Sequence, residues 1–271
     1  MNNFAGYLNG NRNPPANVVA AVGRTAMNFL GATGRLSIFT FKAMSHCVRP
    51  PFYFRNFGRQ FMEIGYYSLP VVALTTLFTG MVLALQSYTG FARFQAESSV
   101  ATVVVLSITR ELAPVMAGLM VAGRVGAAMA AEIGTMRVTE QIDALETLST
   151  NPFKYLVAPR LLASVIVLPI LVLIGDIIGV FGGYLIGVYN LDFNAATYLH
   201  RTWQYLEPVD ITSGLVKAGV FGFIIGIMGC YFGYNSPRGA QGVGSATTNA
   251  VVSASILILI SNYIVTQVFF S

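Results

Sequence analysis

Five stretches in which nearly every position is apolar, at about 65–87, 100–130, 159–189, 213–233 and 247–270, alternate with short polar connectors. Each is long enough to cross a hydrocarbon core as a helix, which takes roughly 20 mostly apolar residues. The runs are too long and too uniformly apolar for the alternating strands of an outer-membrane barrel. Backbone groups inside a bilayer must bond within their own segment, so helices are the natural reading. The pattern predicts an all-α integral membrane protein with five transmembrane helices. A cytoplasmic amino-terminal region is expected over 1–60 and a transmembrane domain over 61–271.

Composition agrees, with 55% hydrophobic residues and only 10% Asp, Glu, Lys and Arg, against about 25% charged in a soluble domain. The basic residues are unevenly spread, which orients the spans by the positive-inside rule. With the amino terminus in the cytoplasm, inside segments hold Arg12, Arg24, Arg35, Lys42, Arg49, Arg55, Arg59, Arg137, Lys154, Arg160 and Arg238, and outside loops only Arg93 and Arg201. Phe269-Phe270-Ser271 then ends on the outer face. An anionic inner leaflet accounts for the net charge of +5 more simply than nucleic acid does.

Residues 16–48 are apolar enough to suggest a sixth span, but Arg24, Arg35 and Lys42 interrupt them. A central Arg or Lys costs about 2.5–3.5 kcal/mol on insertion scales. An interfacial amphipathic helix fits better, with Val18, Val22, Phe29, Leu36 and Phe39 at the acyl boundary and Pro50-Pro51 ending it. The Asn- and Pro-rich start, with no compact apolar core before a small-residue cleavage site, does not read as a cleaved signal peptide. Phe52 to Phe61 reads as an aromatic and basic connector.

Catalytic patterns are missing from the sequence: no phosphate loop with its Lys, no nucleophile elbow, no paired His on a helix. Glycine-rich Ser236–Gly244 lacks that Lys and reads as a turn between the fourth and fifth spans. Cys47 and Cys230 fall in the cytoplasmic half, where disulfides are rare, and read as packing residues. His46 and His200 have no neighbours at metal-ligand spacing. Energised work would have to draw on another chain.

Polar residues concentrate at Glu132-Ile-Gly-Thr-Met-Arg-Val-Thr-Glu-Gln-Ile-Asp-Ala-Leu-Glu146, between the second and third runs. Val138, Ile142 and Leu145 share one face, and Glu140, Asp143 and Glu146 face elsewhere. Such a helix suits a groove in a soluble partner, while the alternative is an amphipathic loop lying on the membrane. Its acidity argues against the latter, because anionic lipids repel carboxylates. The small residues Gly118, Ala122, Gly123, Gly126, Ala127 and Ala130 before it let another helix approach closely.

Ions within the spans form the second set of clues. Arg110 and Glu111 lie about ten residues into the second span, roughly 15 Å from its outer end. Lys217 lies near the outer end of the fourth. Adjacent helical residues diverge by about 100°, so Arg110 and Glu111 take different partners. Pro114 deprives the Arg110 carbonyl of its helical donor and loosens the span there. The three ions are candidates for a lipid-entry cavity, or for an internal ion pair that merely neutralises itself. Gln86 and Tyr88, at the outer end of the first span, are candidate head-group contacts. Arg124 suits snorkelling or capping. Asp176 has no basic neighbour and is expected to pack against a polar partner or the backbone rather than to carry protons. Asn194 to Leu206 reads as an amphipathic outer helix with Tyr198, Trp203 and Tyr205 as interfacial anchors.

Arg110-Glu-Leu-Ala-Pro-Val115, Ala122-Gly-Arg-Val-Gly126, the segment from Ala131 to Glu146, Pro159-Arg160 and Asn249-Ala-Val-Val-Ser253 together resemble the MlaE/YrbE permease family, from about residue 15 to the end. The resemblance implies the membrane subunit of an ABC lipid transporter in a Gram-negative inner membrane, without its own ATPase site. Its expected partners are a second copy, ABC ATPase subunits holding ATP and Mg, a periplasmic MCE-domain ring, a small STAS-type regulatory subunit, and phospholipid as cargo. No cofactor is expected in this chain. It makes Glu132, Gly134, Thr135, Met136, Arg137, Glu140, Asp143 and Glu146 an ATPase-coupling helix. A sterol or other hydrophobic cargo, an ion-driven transporter using Asp176 and Glu111, and a scaffold without transport remain as alternatives.

Overall fold

The computed structural model describes residues 18–50, 53–94, 96 and 99–270. Arg12, Pro51, Phe52 and Ser271, and the side chains of Val18, Val22 and Phe29, lie outside the described residues. All regular structure among the described residues is helical. The chain divides into two compact units between Lys42 and Ala43. Helix α1 (Val18–Val48) crosses that division, and in the first unit Met27, Leu30 and Ile38 are exposed.

The second unit holds five helical segments long and apolar enough to cross a membrane: 54–91, 100–138, 153–189, 208–234 and 240–270. The first comprises α2 (Phe54–Gly65) and α3 (Leu69–Phe91), so the expected aromatic connector is mostly helix. The second runs α4 (Val100–Ser107), a π-helical turn at Ile108–Leu112, α5 (Ala113–Val121), a second π-turn at Ala122–Gly126, and α6 (Ala127–Val138). After α7 (Gln141–Thr147), a π-turn at Phe153–Val157 leads into α8 (Ala158–Tyr189), the third span. Amphipathic α9 (Ala195–Tyr205) precedes α10 (Pro208–Tyr234) and α11 (Ala240–Phe270). The turn between the last two is shorter than the glycine pattern suggests. It occupies 235–239, with Gly239 at φ 87°, and Gly242 already lies inside α11.

Span α10 is the hub, packing on α8, α6 and α11, while α8 is sandwiched between α10 and α3. Close approach depends on missing side chains. A Cβ on Gly80 would collide with the Gly179 carbonyl of α8, and one on Gly222 with the Ser164 carbonyl. A Cβ on Gly214 would meet the Thr109 carbonyl oxygen at 2.6 Å. The small-residue run of the second span serves the same packing. Gly118 faces Phe221, and Ala130 lies under Gly233 of α10.

Arg124, in the second π-turn, locks the second span to the bend of the first. Its Nη2 donates to the Glu63 carbonyl at 2.5 Å and its Nε to the Ser68 hydroxyl at 3.1 Å. It caps an orphan carbonyl of α2, as a basic residue at a helix end can. Asn194 caps α9, accepting from the Thr197 amide at 3.1 Å. The expectation for Tyr198 needs correcting. It is 4% exposed, packed edge-on to Tyr184 at 5.9 Å, and only Trp203 and Tyr205 are exposed in the manner of interfacial residues.

Gly80→Ala should lower stability by about 1–3 kcal/mol, because the backbone of α8 has no room to yield. Gly219→Ala, where an added Cβ meets nothing within 4 Å, should be neutral or stabilise by up to about 1 kcal/mol through helix propensity. Thermal unfolding of the two variants in detergent checks the contrast, and equal losses would contradict this packing.

Candidate functional site

The charged residues of the second and fourth spans meet in one cluster. Pro114 has no N–H, so the Arg110 carbonyl lacks its α-helical donor, and the chain around it adopts the Ile108–Leu112 π-turn. Lys217 of α10 fills the vacancy, its Nζ donating to the Arg110 carbonyl and to Glu111 Oε1, each at 2.7 Å. Glu111 also accepts from Asn262 Nδ2 at 2.8 Å and Thr266 Oγ1 at 2.9 Å, both on α11. One carboxylate therefore ties together the second, fourth and fifth spans.

Arg110 turns elsewhere. Its Nε donates to Asp210 Oδ1 at 2.7 Å, and its guanidinium sits 4.5 Å from the Phe270 ring centroid. Asp210 is fully buried, and its other oxygen accepts from the Glu207 amide at 3.0 Å, closing a capping box at the start of α10. Two cations and two anions leave the cluster neutral. Accessibility separates them: the Arg110 and Glu111 side chains are 34% and 38% exposed, and Lys217 is 0% exposed.

Of the lipid-contact candidates, then, the structure brings Arg110, Glu111 and Lys217 together but gives Lys217 no surface. Gln86 is exposed and Tyr88 packs edge-on against Phe193 at 5.8 Å, and neither is hydrogen-bonded to the cluster among the described residues. Asp210, Asn262 and Thr266 were missed. Their spacing held a signal, since Asp210 and Lys217 lie seven residues apart and Asn262 and Thr266 four, each pair on one helix face. Asp176, expected to find a polar partner or the backbone, is 5% exposed, and neither carboxylate oxygen has a hydrogen bond to either among the described residues.

The second candidate site lies at the other end of the second span. The polar segment is not one helix. Helix α6 carries Glu132, Gly134, Thr135, Met136 and Arg137 and ends at Val138, Glu140 takes a left-handed φ of 58°, and α7 begins at Gln141. Val138 thus lies on a different helix from Ile142 and Leu145, and the continuous apolar stripe does not exist. Ile142 is buried as the anchor of α7, while Glu140, Asp143, Glu146 and Leu148 are exposed.

Ion pairs brace this elbow. Arg160, buried at the start of α8, forms an ion pair with Glu132 (Nη2 to Oε2, 2.8 Å) and donates Nη1 to the Leu156 carbonyl at 2.9 Å. Arg137 bonds Asp143 at 2.7 Å and lies 5.9 Å from the Tyr234 ring centroid. Both partners of that pair are exposed, so it contributes at most about 1 kcal/mol. Gly134 is buried against Ser236 and Val243, where an added Cβ would find ordinary contact. Thr135 is exposed and bonds back to the Ala131 carbonyl, and Met136 is half-buried.

The permease MlaE family model matches residues 57–268, which include the charged residues of both sites and nearly all of the five spans. The chain belongs to the MlaE permease family. Related sequences agree. A probable ABC transporter permease protein of Rickettsia bellii is 65% identical over 94% of this chain and 98% of its own length. The intermembrane phospholipid transport system permease protein MlaE of Haemophilus influenzae is 35% identical over the same shares. The chloroplast protein Trigalactosyldiacylglycerol 1 of Arabidopsis thaliana is 38% identical over 80% of this chain and 62% of its own. The chain is therefore a multi-pass ABC transporter permease.

The cluster predicts strong non-additivity. Glu111→Gln removes the only anion bonded, among the described residues, to a wholly enclosed ammonium and should cost about 3–5 kcal/mol. Lys217→Met strands the Arg110 carbonyl and should cost about 1–3 kcal/mol. Combining the two should cost less than the sum by about 2 kcal/mol or more. Unfolding midpoints of the three variants in detergent measure this coupling, and simple additivity would refute the Lys217–Glu111 dependence.

Proposed function

We propose that two copies of this chain form the membrane part of an ATP-driven transporter that moves phospholipid between the inner membrane and a periplasmic MCE-domain ring. A separate ATPase, holding ATP and Mg, would dock on the cytoplasmic α6–α7 elbow, with a small STAS-type subunit on that ATPase. The observation that carries this reading is the continuity of the second span. The Arg110–Glu111 cluster and the end of α6 at Val138, where the acidic elbow begins, lie on one helical rod, about 28 residues or 42 Å apart. A push on the elbow reaches the cluster through that rod, and its two π-turns are the places where it can change register.

At the cluster, Glu111 holds spans two, four and five together, so a shift of the second span exchanges these bonds and opens the groove between them. Arg110 is the cation accessible to a lipid phosphate, and its planar guanidinium suits that group. Lys217 acts as the enclosed counter-ion of Glu111. The fifth span, only 11% buried over its most apolar window, leaves a broad apolar face for a second copy and for acyl chains. Ion coupling through Glu111 is disfavoured, because its carboxylate is held by three donors.

Reversing charge at the elbow tests the docking. Glu140→Lys with Asp143→Lys should reduce retention of the partner ATPase at least about tenfold while the permease remains folded. Undiminished retention and transport would refute the assignment. Orientation has its own test: in a Cys47→Ser background, Arg238→Cys should react with an impermeant thiol reagent only from the cytoplasm and His200→Cys only from outside. Labelling of both from one side would overturn the five-span topology.

A further inference from the structure

A cavity of about 230 Å³ lies where the last turn of α1, the start of α2 and the first turns of α8 meet. Ala158, Leu162 and Ile166, four residues apart, form its α8 wall along one helix face, and Phe54 and Phe57 line it from α2. The two ends differ. At one, Lys154 Nζ donates to the Pro50 carbonyl at 2.7 Å in an exposed bond. At the other, Ile166 is 46% exposed and wholly apolar. The twelve residues between them span roughly 18 Å, about one leaflet of a hydrocarbon core some 30 Å thick. The volume is below the roughly 300–1,000 Å³ of small-molecule sites, and the walls offer a hydrocarbon chain more than they offer a soluble metabolite. None of the lining residues belongs to the Arg110–Glu111 cluster or to the acidic elbow.

We propose that this slot holds one anionic lipid of the cytoplasmic leaflet, its phosphate at Lys154 and one acyl chain along Ala158, Leu162 and Ile166. The proposal rests on the orientation given above only for the choice of leaflet. Charge complementarity selects the occupant. The segments that build the slot, 43–65 and 149–166, carry Arg49, Arg55, Arg59, Lys154 and Arg160 against a single acid, Glu63. Arg160 is paired with Glu132. Arg49, Arg55 and Arg59 are exposed, and neither they nor Lys154 forms an ion pair among the described residues. A carbonyl satisfies one of the three Lys154 donors but not its charge, which leaves two donors for phosphate oxygens. A zwitterionic lipid brings its own cation into this basic surrounding, and an anionic one does not. Exposed Phe54 and Ile166 leave the slot open sideways, so a lipid enters from the bilayer without passing through water.

Trp203 is the only tryptophan of the chain, and it and Phe54 are both exposed. Phe54→Trp in a Trp203→Phe background therefore places a single indole at the slot. The full chain in phosphatidylcholine nanodiscs, without ATP or a partner, would be titrated with bromine-tailed phosphatidylglycerol or bromine-tailed phosphatidylcholine. The anionic lipid should quench saturably at about tenfold lower mole fraction, the size expected of a charge-assisted bond. Lys154→Gln, which keeps a donor for the Pro50 carbonyl, should erase most of that preference, and Lys154→Arg should retain it. Arg238→Gln, an exposed charge lost elsewhere, should leave it unchanged. Equal quenching by the two lipids would overturn the proposal, as would equal losses in Lys154→Gln and Arg238→Gln, which assign the preference to diffuse surface charge. Displacement of the lipid by tail-free glycerol 3-phosphate at equal concentration would overturn it in favour of a soluble phosphate. Should Lys154→Gln fail to fold, the two-lipid comparison and the displacement decide. Both leaflets of the nanodisc are alike, so a reversed orientation would alter only the thiol labelling.

Discussion

A lysine ammonium with no access to solvent sets the terms for the rest of this membrane domain. Glu111 and the Arg110 carbonyl, each bonded to it at 2.7 Å, offset the cost of burying Lys217 there. That carbonyl is available because Pro114, one turn later, has no N–H to offer it. A local defect in the second span thus becomes the acceptor for a charge from the fourth, and Asn262 and Thr266 bring the fifth span to the same carboxylate. Apolar packing between helices supplies little orientation in lipid, where side chains and acyl tails are alike. A directional polar cluster, with glycine contacts at Gly80, Gly214 and Gly222, fixes which helix faces which.

In the proposed mechanism the same cluster takes part in transport. Its bonds join three spans, with Arg110 and Glu111 partly open while their partners Asp210 and Lys217 are enclosed on the hub helix α10. The second span reaches from the cluster to the acidic elbow, where Ile142 anchors α7 and the carboxylates face outward. Membership in the MlaE family places these two features in a permease, and the phospholipid named for its Haemophilus influenzae relative gives the proposed cargo.

Class, span number and the intramembrane ions were legible in the sequence, because hydropathy and charge need no knowledge of partners. The family was legible from the polar motif and its flanks, and the match over 57–268 bears it out. Other features depended on geometry that periodicity does not encode. Val138, Ile142 and Leu145 keep a helical spacing across a left-handed break at Glu140, so one helix was expected where two meet. Asp210 looked like an ordinary helix-start residue, and only the tertiary structure sets it against Arg110. Tyr198 has the composition of an interfacial anchor, yet α9 turns it inward, and Asp176 gives no sign in sequence that its expected partner is missing.

The most direct measurement is lipid movement in proteoliposomes holding this permease and its ATPase, with labelled phospholipid in the donor leaflet or on an acceptor protein. Transfer should require both ATP and the ATPase, proceed without an ion gradient, and fall at least about tenfold in Arg110→Ala, the loss expected from one charge-assisted bond to phosphate. Transfer driven by an ion gradient without ATP, or left intact by Arg110→Ala, would contradict the proposed mechanism.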